Sequence, residues 1–256
     1  MKHLPYQAVI VDFDRTLLHT DKTISEYTVK VFRQWQEAGA RLFAATARPE
    51  RAVEIYRETI PFDAVTTLNG ARTLTPGALF EEPISAQSAE NILEQLYTDR
   101  DMVISVETGS GIFASTDIPL WSPVVVKDIR KLAGKEKIYK ILASHPLLSA
   151  DLIALTLPEN TYSTVAEQKL LQVMSSTATK WNGIRKMLEA YGIDASRAVY
   201  FGDDNDDIEP LRRCGCGVAV SNALESVRRV ADHVTESNDD DGVAVFLAEL
   251  MNSAAR

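Results

Sequence analysis

Near the start of the chain a continuous apolar run, Ala8-Val9-Ile10-Val11, predicts a buried strand that stops at Asp12 and Asp14. Apolar residues then recur at helical spacing: Val31, Phe32, Trp35 and Ala38 share one side of a helix that Ser25 can cap and Gly39 ends. "RLFAAT" (41–46) reads as a second strand. Pro49 suits the first turn of a helix whose Ala52, Val53, Tyr56 and Ile60 share a face. "AVTTLNG" (64–70) reads as a third strand closed by an Asn-Gly turn. Strand and helix alternate with short links, which predicts a parallel sheet wrapped by helices.

From about Thr73 the pattern changes. "TLTPGALFEEP" reads as an exit segment, followed by a helix near 88–97. "MVISVETGSGIFAST" gives two strands around a glycine turn, and "KIYKILAS" (137–144) another. An apolar helix is expected around 148–157, and "TYSTVAEQ" and "LLQVMSS" read as strands. Adjacent strands with occasional helices predict an antiparallel α+β module. The alternating pattern resumes near Lys180, where Ile184, Met187, Leu188 and Tyr191 lie at helical spacing and Gly192 ends the helix. "AVYFGDDNDD" is an apolar strand ending in acids, "GVAVSNALESVRRVADHVT" reads as strand, helix and strand, and "DGVAVFLAELMN" as a closing amphipathic helix. The expected layout is an α/β core, 1–76 and 179–256, interrupted by an inserted α+β domain, 77–178.

Composition changes this picture little. The 256 residues are 45% hydrophobic and 25% charged, ordinary for a globular protein. A net charge of -9 argues against nucleic acid or an anionic membrane as partner. Cys214 and Cys216 flank one glycine and fit buried thiols in a reducing compartment. No secretory signal is read, and no apolar run approaches the ~18 residues that span a bilayer. A cytoplasmic location is therefore expected.

The chemistry is expected where the strands end, since open parallel sheets bind ligands beyond their carboxyl ends. Four such ends carry polar groups: Asp12 with Asp14, Thr46 with Arg48, Asn69, and Asp203 through Asp207. Lys180 opens the helix before the last of them. At ~4 Å two like charges repel by about 4 kcal/mol at an effective dielectric of 20, so these acids require cations. All-oxygen ligands suit a hard divalent cation such as Mg²⁺, and Lys180 can neutralise the remainder. Such a site suits phosphoryl transfer. Asp12 can attack phosphorus, while Thr46, Lys180 and backbone amides stabilise the equatorial oxygens. Asp14 can protonate the leaving alcohol and later deprotonate water. Each motif alone is weak, because an Asp-x-Asp pair is usually a solvated loop and an acidic run usually an exposed turn. Asn69 reads as a turn residue, His19 and His145 as surface or loop residues that carry no partner pattern, and "SNDDDG" as an acidic turn.

In this order "DFDRT", "TAR", "TKWNGI" and "GDDNDD" resemble the four motifs of the haloacid dehalogenase-like phosphatases. "TLNGA" and "GVAVSNALESVRRVADHVTESNDDDGVAVFL" look like the Cof-type branch, which carries a large α/β cap between the second and third motifs. The resemblance implies a Rossmann-like parallel core, Asp12 as nucleophile and Asp14 as acid/base. It places Thr46, Ala47, Arg48 and Lys180 around the phosphoryl group. Asp12, Asp203, Asp207 and the Asp14 main-chain carbonyl would hold Mg²⁺. The cap would act as a lid that selects a small phosphorylated metabolite, a sugar phosphate or a phosphorylated cofactor. A phosphomutase, or a non-catalytic sensor of such a metabolite, is the alternative. Three positions depart from the pattern: Arg15 and Ala47 replace glycines, and Asp206 stands where asparagine is common. Both glycine sites are places where unusual torsions are expected. Arg15 either adds a cation near the phosphate or points outward. Trp121, Glu107 and the "TGSG" turn are candidates to face the substrate, but a cap also needs its own core.

Overall fold

The computed structural model describes residues 4–166 and 169–253. In chain order it begins with β1 (Ala8–Val11), α1 (Glu26–Glu37), β2 (Arg41–Ala45), α2 (Glu50–Arg57) and β3 (Ala64–Thr67). Two strands, β4 (Arg72–Thr75) and β5 (Ala78–Glu81), lead into α3 (Ala86–Leu96). Then follow β6 (Val103–Thr108), β7 (Gly111–Ala114), β8 (Val124–Val125), β9 (Ile138–Ser144), β10 (Thr161–Ala166) and β11 (Leu170–Ser175). The chain continues through α4 (Lys180–Tyr191), β12 (Ala198–Gly202), α5 (Ile208–Arg213), β13 (Cys216–Val220), α6 (Glu225–Arg228), β14 (His233–Thr235) and α7 (Gly242–Ser253). Contacts divide the chain into two compact units, one formed up to Phe80 and from Thr179, the other by Glu81–Ala178.

The first unit holds an eight-stranded sheet in the order β14-β13-β12-β1-β2-β3-β4-β5. The first six strands run parallel. β1 lies at the centre and is buried over its whole length, as expected of a strand covered on both faces. α1 starts where the Ser25 side chain accepts the Thr28 amide, and it buries Val31, Phe32 and Trp35. The Trp35 Nε1 donates to the Leu247 carbonyl at 3.1 Å, which ties α1 to α7. α4 packs on β3 so closely that a Cβ on Gly183 would stand 2.1 Å from Thr66 Oγ1. That approach fixes the start of α4, and so Lys180, against the sheet.

The second unit is a six-stranded sheet, β10-β11-β9-β6-β7-β8, with α3 on one face. Glu107 is buried directly across from Lys140 in the β6–β9 pairing, an internal role for a residue considered for substrate contact. Glu167 and Gln168, read with the β10 strand, lie outside the described residues.

One expectation is incomplete and another fails. The segment expected as an exit does pass to the second unit at Glu81, but it first extends the core sheet, with β4 antiparallel to β3. Its Arg72-Thr73-Leu74-Thr75 buries alternate positions and joins Thr73 to Thr66 at 2.8 Å, a pairing made by polar side chains that hydrophobic periodicity does not detect. The helix expected around 148–157 is only a single turn at Ala150–Leu152. Leu147 and Leu152 there are 85% and 64% exposed, while Ala150 and Ile153 reach the core of the second unit from a single turn and extended chain, so the apolar residues do not follow a helical face.

Candidate active site

The candidate site forms where β1, β2, β3 and β12 end. β1 and β12 are parallel neighbours with Val11 opposite Phe201, so Asp12 and Asp203 leave adjacent strand ends. The Asp12 amide still donates to the Phe201 carbonyl at 3.0 Å. Carboxylate oxygens of Asp12, Asp203 and Asp207, all buried, lie within 4.8 Å of one another. The Lys180 ammonium, also buried, reaches Asp207 Oδ1 at 2.6 Å, Asp12 Oδ1 at 3.0 Å and Asp206 Oδ1 at 3.1 Å. Acids from the two ends of the chain thus share one cation, itself 168 positions from Asp12.

The cation count falls short of the acids. Burial pushes the Asp12 carboxyl well above the usual range; Lys180 offsets this in part, and Asp207, Asp203 and Asp206 add to it. Burial, with Asp207 beside it, raises Asp203 to about 7. Burial alone would lower Lys180, yet Asp12, Asp206 and Asp207 hold it well above an ordinary lysine. A buried, all-oxygen donor set with surplus negative charge is what a hard divalent cation binds, so such an ion fits these residues.

Asp207 is the organiser of the group. Its Oδ2 accepts the amides of Asp203 (2.8 Å) and Asp204 (3.0 Å), and its Oδ1 accepts Lys180 (2.6 Å) and the Tyr200 hydroxyl (2.5 Å). With those acceptor positions engaged, Asp207 holds the loop and the lysine in place. Gly202 makes room for it, because a Cβ there would stand 2.5 Å from the Asp207 Cβ and Cγ. Gly202→Ala is expected to cost about 1–3 kcal/mol of stability in urea unfolding, and to lower turnover with it.

At the neighbouring strand ends, Thr46 is buried; its hydroxyl accepts the Arg48 amide at 3.2 Å and its carbonyl the Asn69 amide at 3.1 Å. Asn69, read as a turn residue, does sit in a turn with a φ of 57°, but it also contributes a side chain, donating Nδ2 to Asp206 at 2.5 Å. Asp14 stands apart from the buried acids. Its carboxylate accepts Arg48 through Nε (2.6 Å) and a terminal nitrogen (2.7 Å), and Lys22 Nζ at 2.7 Å. Burial would raise Asp14, but Arg48 and Lys22 outweigh it and bring it down to about 2.

A family model described as haloacid dehalogenase-like hydrolase matches residues 9–247. The chain belongs to that family. The 5-amino-6-(5-phospho-D-ribitylamino)uracil phosphatase YitU of Bacillus subtilis is 27% identical over 271 residues, covering 97% of this chain and 98% of its own length. Two solved structures share the fold. The phosphatase BT1666 of Bacteroides thetaiotaomicron has a TM-score of 0.81 at 24% identity, over 96% of this chain and 95% of that one. The sugar phosphatase BT4131 has a TM-score of 0.81 at 19% identity, over 95% of this chain and 98% of that one.

This haloacid dehalogenase-like hydrolase resolves the departures at Arg15 and Ala47 differently. Arg15 adopts a φ of 61°, the left-handed region that favours glycine. Its side chain is 60% exposed, with Nε 3.5 Å from Asp203 Oδ2, so it is a cation at the rim that leans on an acid of the site. Ala47 is exposed and is not among the left-handed residues, so no glycine-like torsion is needed there.

His19 and His145 lie in loops, as expected, and both have partners there. His19 Nε2 lies 2.9 Å from Asp241 Oδ1. His145 Nδ1 accepts the amides of Leu147 and Leu148, both at 3.1 Å, which leaves the ring proton on Nε2, 3.4 Å from Asp99. Asp99, Asp101 and His145 cluster, but a nitrogen that carries a proton is no metal ligand, and the group closes a loop. Sequence reasoning missed Lys22, Tyr200 and Thr16, whose hydroxyl donates to Asp203 at 3.0 Å. Tyr200 reads as core inside an apolar strand, and Lys22 as one more charge in a polar loop. Among the described residues no helix is long and apolar enough to cross a membrane.

Proposed function

We propose that this haloacid dehalogenase-like phosphatase hydrolyses small phosphate monoesters through an aspartyl-phosphate formed on Asp12, with Mg²⁺ as its metal. Sugar phosphates and phosphorylated cofactors are the substrate classes proposed; the relative YitU, aligned over 97% of this chain, is named for a phosphoribitylamino-uracil substrate, which supports a small phosphate monoester. The observation that carries this reading is the gathering of Asp12, Asp203 and Asp207 within 4.8 Å of one another at the carboxyl end of the sheet, with the Lys180 ammonium bonded to Asp12 and Asp207.

Asp12 and Asp203, with the Asp14 main-chain carbonyl, would hold the metal, and Asp207 would fix the loop that presents Asp203. When bound, Mg²⁺ screens the acids from one another and draws charge from the phosphoryl oxygens. The Asp12 carboxylate attacks phosphorus. A bond forms between Asp12 oxygen and phosphorus as the ester oxygen leaves, and Asp14, ionised while Arg48 and Lys22 hold it, takes up a proton from solvent and passes it to that oxygen. Lys180, Thr46 and the loop through Ala47 and Arg48 bind and orient the equatorial oxygens. In the second step Asp14 takes a proton from water, which attacks phosphorus, frees inorganic phosphate and restores the Asp12 carboxylate.

A phosphate-release screen over sugar phosphates, ribityl phosphates and pyridoxal phosphate tests this. With Mg²⁺ present, at least one ester should be hydrolysed at a kcat/KM above about 10⁴ M⁻¹ s⁻¹. EDTA should abolish release and added Mg²⁺ restore it, raising the melting temperature as well. Return of the phosphoryl group to a sugar without release of inorganic phosphate would identify a mutase. Absence of turnover on every ester would favour a sensor.

A further inference from the structure

Asp12 and Asp14 lie two residues apart and meet different cations. Asp12 turns inward to Lys180, with a side chain 7% exposed. Asp14 is 40% exposed, turns to Arg48 and Lys22, and its carboxylate stays outside the group formed by Asp12, Asp203 and Asp207. Resting on the aspartyl-phosphate reading, we propose that Lys22 is a positioning residue of the reaction. Together with Arg48, its ammonium holds the Asp14 carboxyl toward the leaving group and keeps it from joining the acids around Lys180.

The local backbone is built to present that ammonium. Lys22 has a φ of 69°, a left-handed conformation that a non-glycine residue keeps only where its surroundings enforce it. Here the enforcement is visible. The turn closes through His19 N to Thr23 O (3.0 Å) and Lys22 N to His19 O (2.9 Å). The Tyr56 hydroxyl donates to the Lys22 carbonyl at 3.2 Å, and the same hydroxyl accepts Arg48 at 3.3 Å. The run read as a mere acidic turn fastens the other side. Thr20 donates its amide and its hydroxyl to Asp239, both at 2.7 Å, His19 meets Asp241, and Asn238 Nδ2 donates to the Leu18 carbonyl at 2.9 Å. These contacts hold the loop that carries the Lys22 ammonium opposite Asp14.

The direction of the grip follows from the displacement itself. Attack by Asp12 sends the ester oxygen away on the side opposite its carboxylate, and a general acid must stand on that side. Arg48 grips Asp14 as a fork on both oxygens, and Lys22 adds a second cation on Oδ1. Without Lys22 the carboxyl holds a proton more readily, but it loses one of the two charges that keep it from turning toward the Lys180 side, and the misplacement outweighs the gain.

The test compares kcat/KM for an alkyl phosphate found in the screen with that for p-nitrophenyl phosphate. This ratio reports the steps up to formation of the aspartyl-phosphate. An alkoxide needs a proton in order to leave, whereas a nitrophenolate does not. In Lys22→Met the alkyl ester should lose about 30-fold, a misplaced rather than missing acid, and the aryl ester about threefold or less. Lys22→Arg should recover most of the alkyl loss. Lys22→Gly relaxes the backbone and should show the same split, which separates the ammonium from any folding defect. An equal fall on both esters, no fall on the alkyl ester, or wild-type behaviour in Lys22→Gly would overturn the proposal. Asp12→Asn run in parallel keeps the two readings apart: if it remains active the aspartyl-phosphate reading fails, and if it is inactive while Lys22→Met shows no split, only the role of Lys22 fails.

Discussion

Replacing Asp12 by asparagine should abolish phosphate release while leaving the protein folded. The amide keeps the shape of the carboxyl but cannot attack phosphorus, so turnover should drop on the order of 10⁴-fold or more. Stability should hold or rise in the same variant without added metal. Burial and the neighbouring Asp207, Asp203 and Asp206 all disfavour the Asp12 charge, opposed by Lys180. Removing it therefore relieves repulsion, and Lys180 keeps Asp206 and Asp207 as partners. Phosphate-release assays paired with thermal melts check both halves. Turnover near wild type would remove Asp12 from the nucleophile role, and a collapsed melt would make it a structural acid.

Lys180→Met should damage both fold and turnover. The lysine side chain is 2% exposed and is the ammonium shared by Asp12, Asp206 and Asp207. Removing one partner of a buried charge group costs about 3–5 kcal/mol, because the remaining charges stay buried without their counterion. Turnover should fall by about 10²–10³-fold through loss of a donor to the phosphoryl oxygens. Mg²⁺ separates the two effects. As a substitute cation it should recover part of the stability in urea unfolding, while phosphate release stays low because the donor is gone. Lys180→Arg should rescue neither fully, since a planar fork cannot place one point charge among three carboxylates. Recovery of turnover along with stability would show that Lys180 only balances charge.

Much of the site was legible before any coordinates. An apolar run that ends in acids is a strong local signal, and four strand ends with polar residues have one place to meet in a parallel sheet. Asp12, Thr46, Lys180, Asp203 and Asp207 were all named from that logic together with the family resemblance, and each lies at the carboxyl end of the sheet. The antiparallel β4 was not legible, because Thr66 and Thr73 pair it to β3 without an apolar pattern. The short turn at Ala150–Leu152 was misread because apolar letters do not reveal which way they face. Tyr200 was hidden by its own strand: an aromatic ring within an apolar run reads as core, yet its hydroxyl ends on Asp207.

What the amino-acid order determined by itself is the period of each segment and the chemical type of each strand end, since both are properties of near neighbours. It also marked Arg15 as a place where a glycine-like torsion is expected, and the φ of 61° meets that. The tertiary structure decided which charges share a partner. Asp12 and Asp14 are near-identical in sequence terms, and only the strand order and the fastened turn give one of them Lys180 and the other Arg48 with Lys22. Charge interactions depend on distance and burial rather than on sequence separation, so the difference between these two carboxyls arises only once the chain has folded.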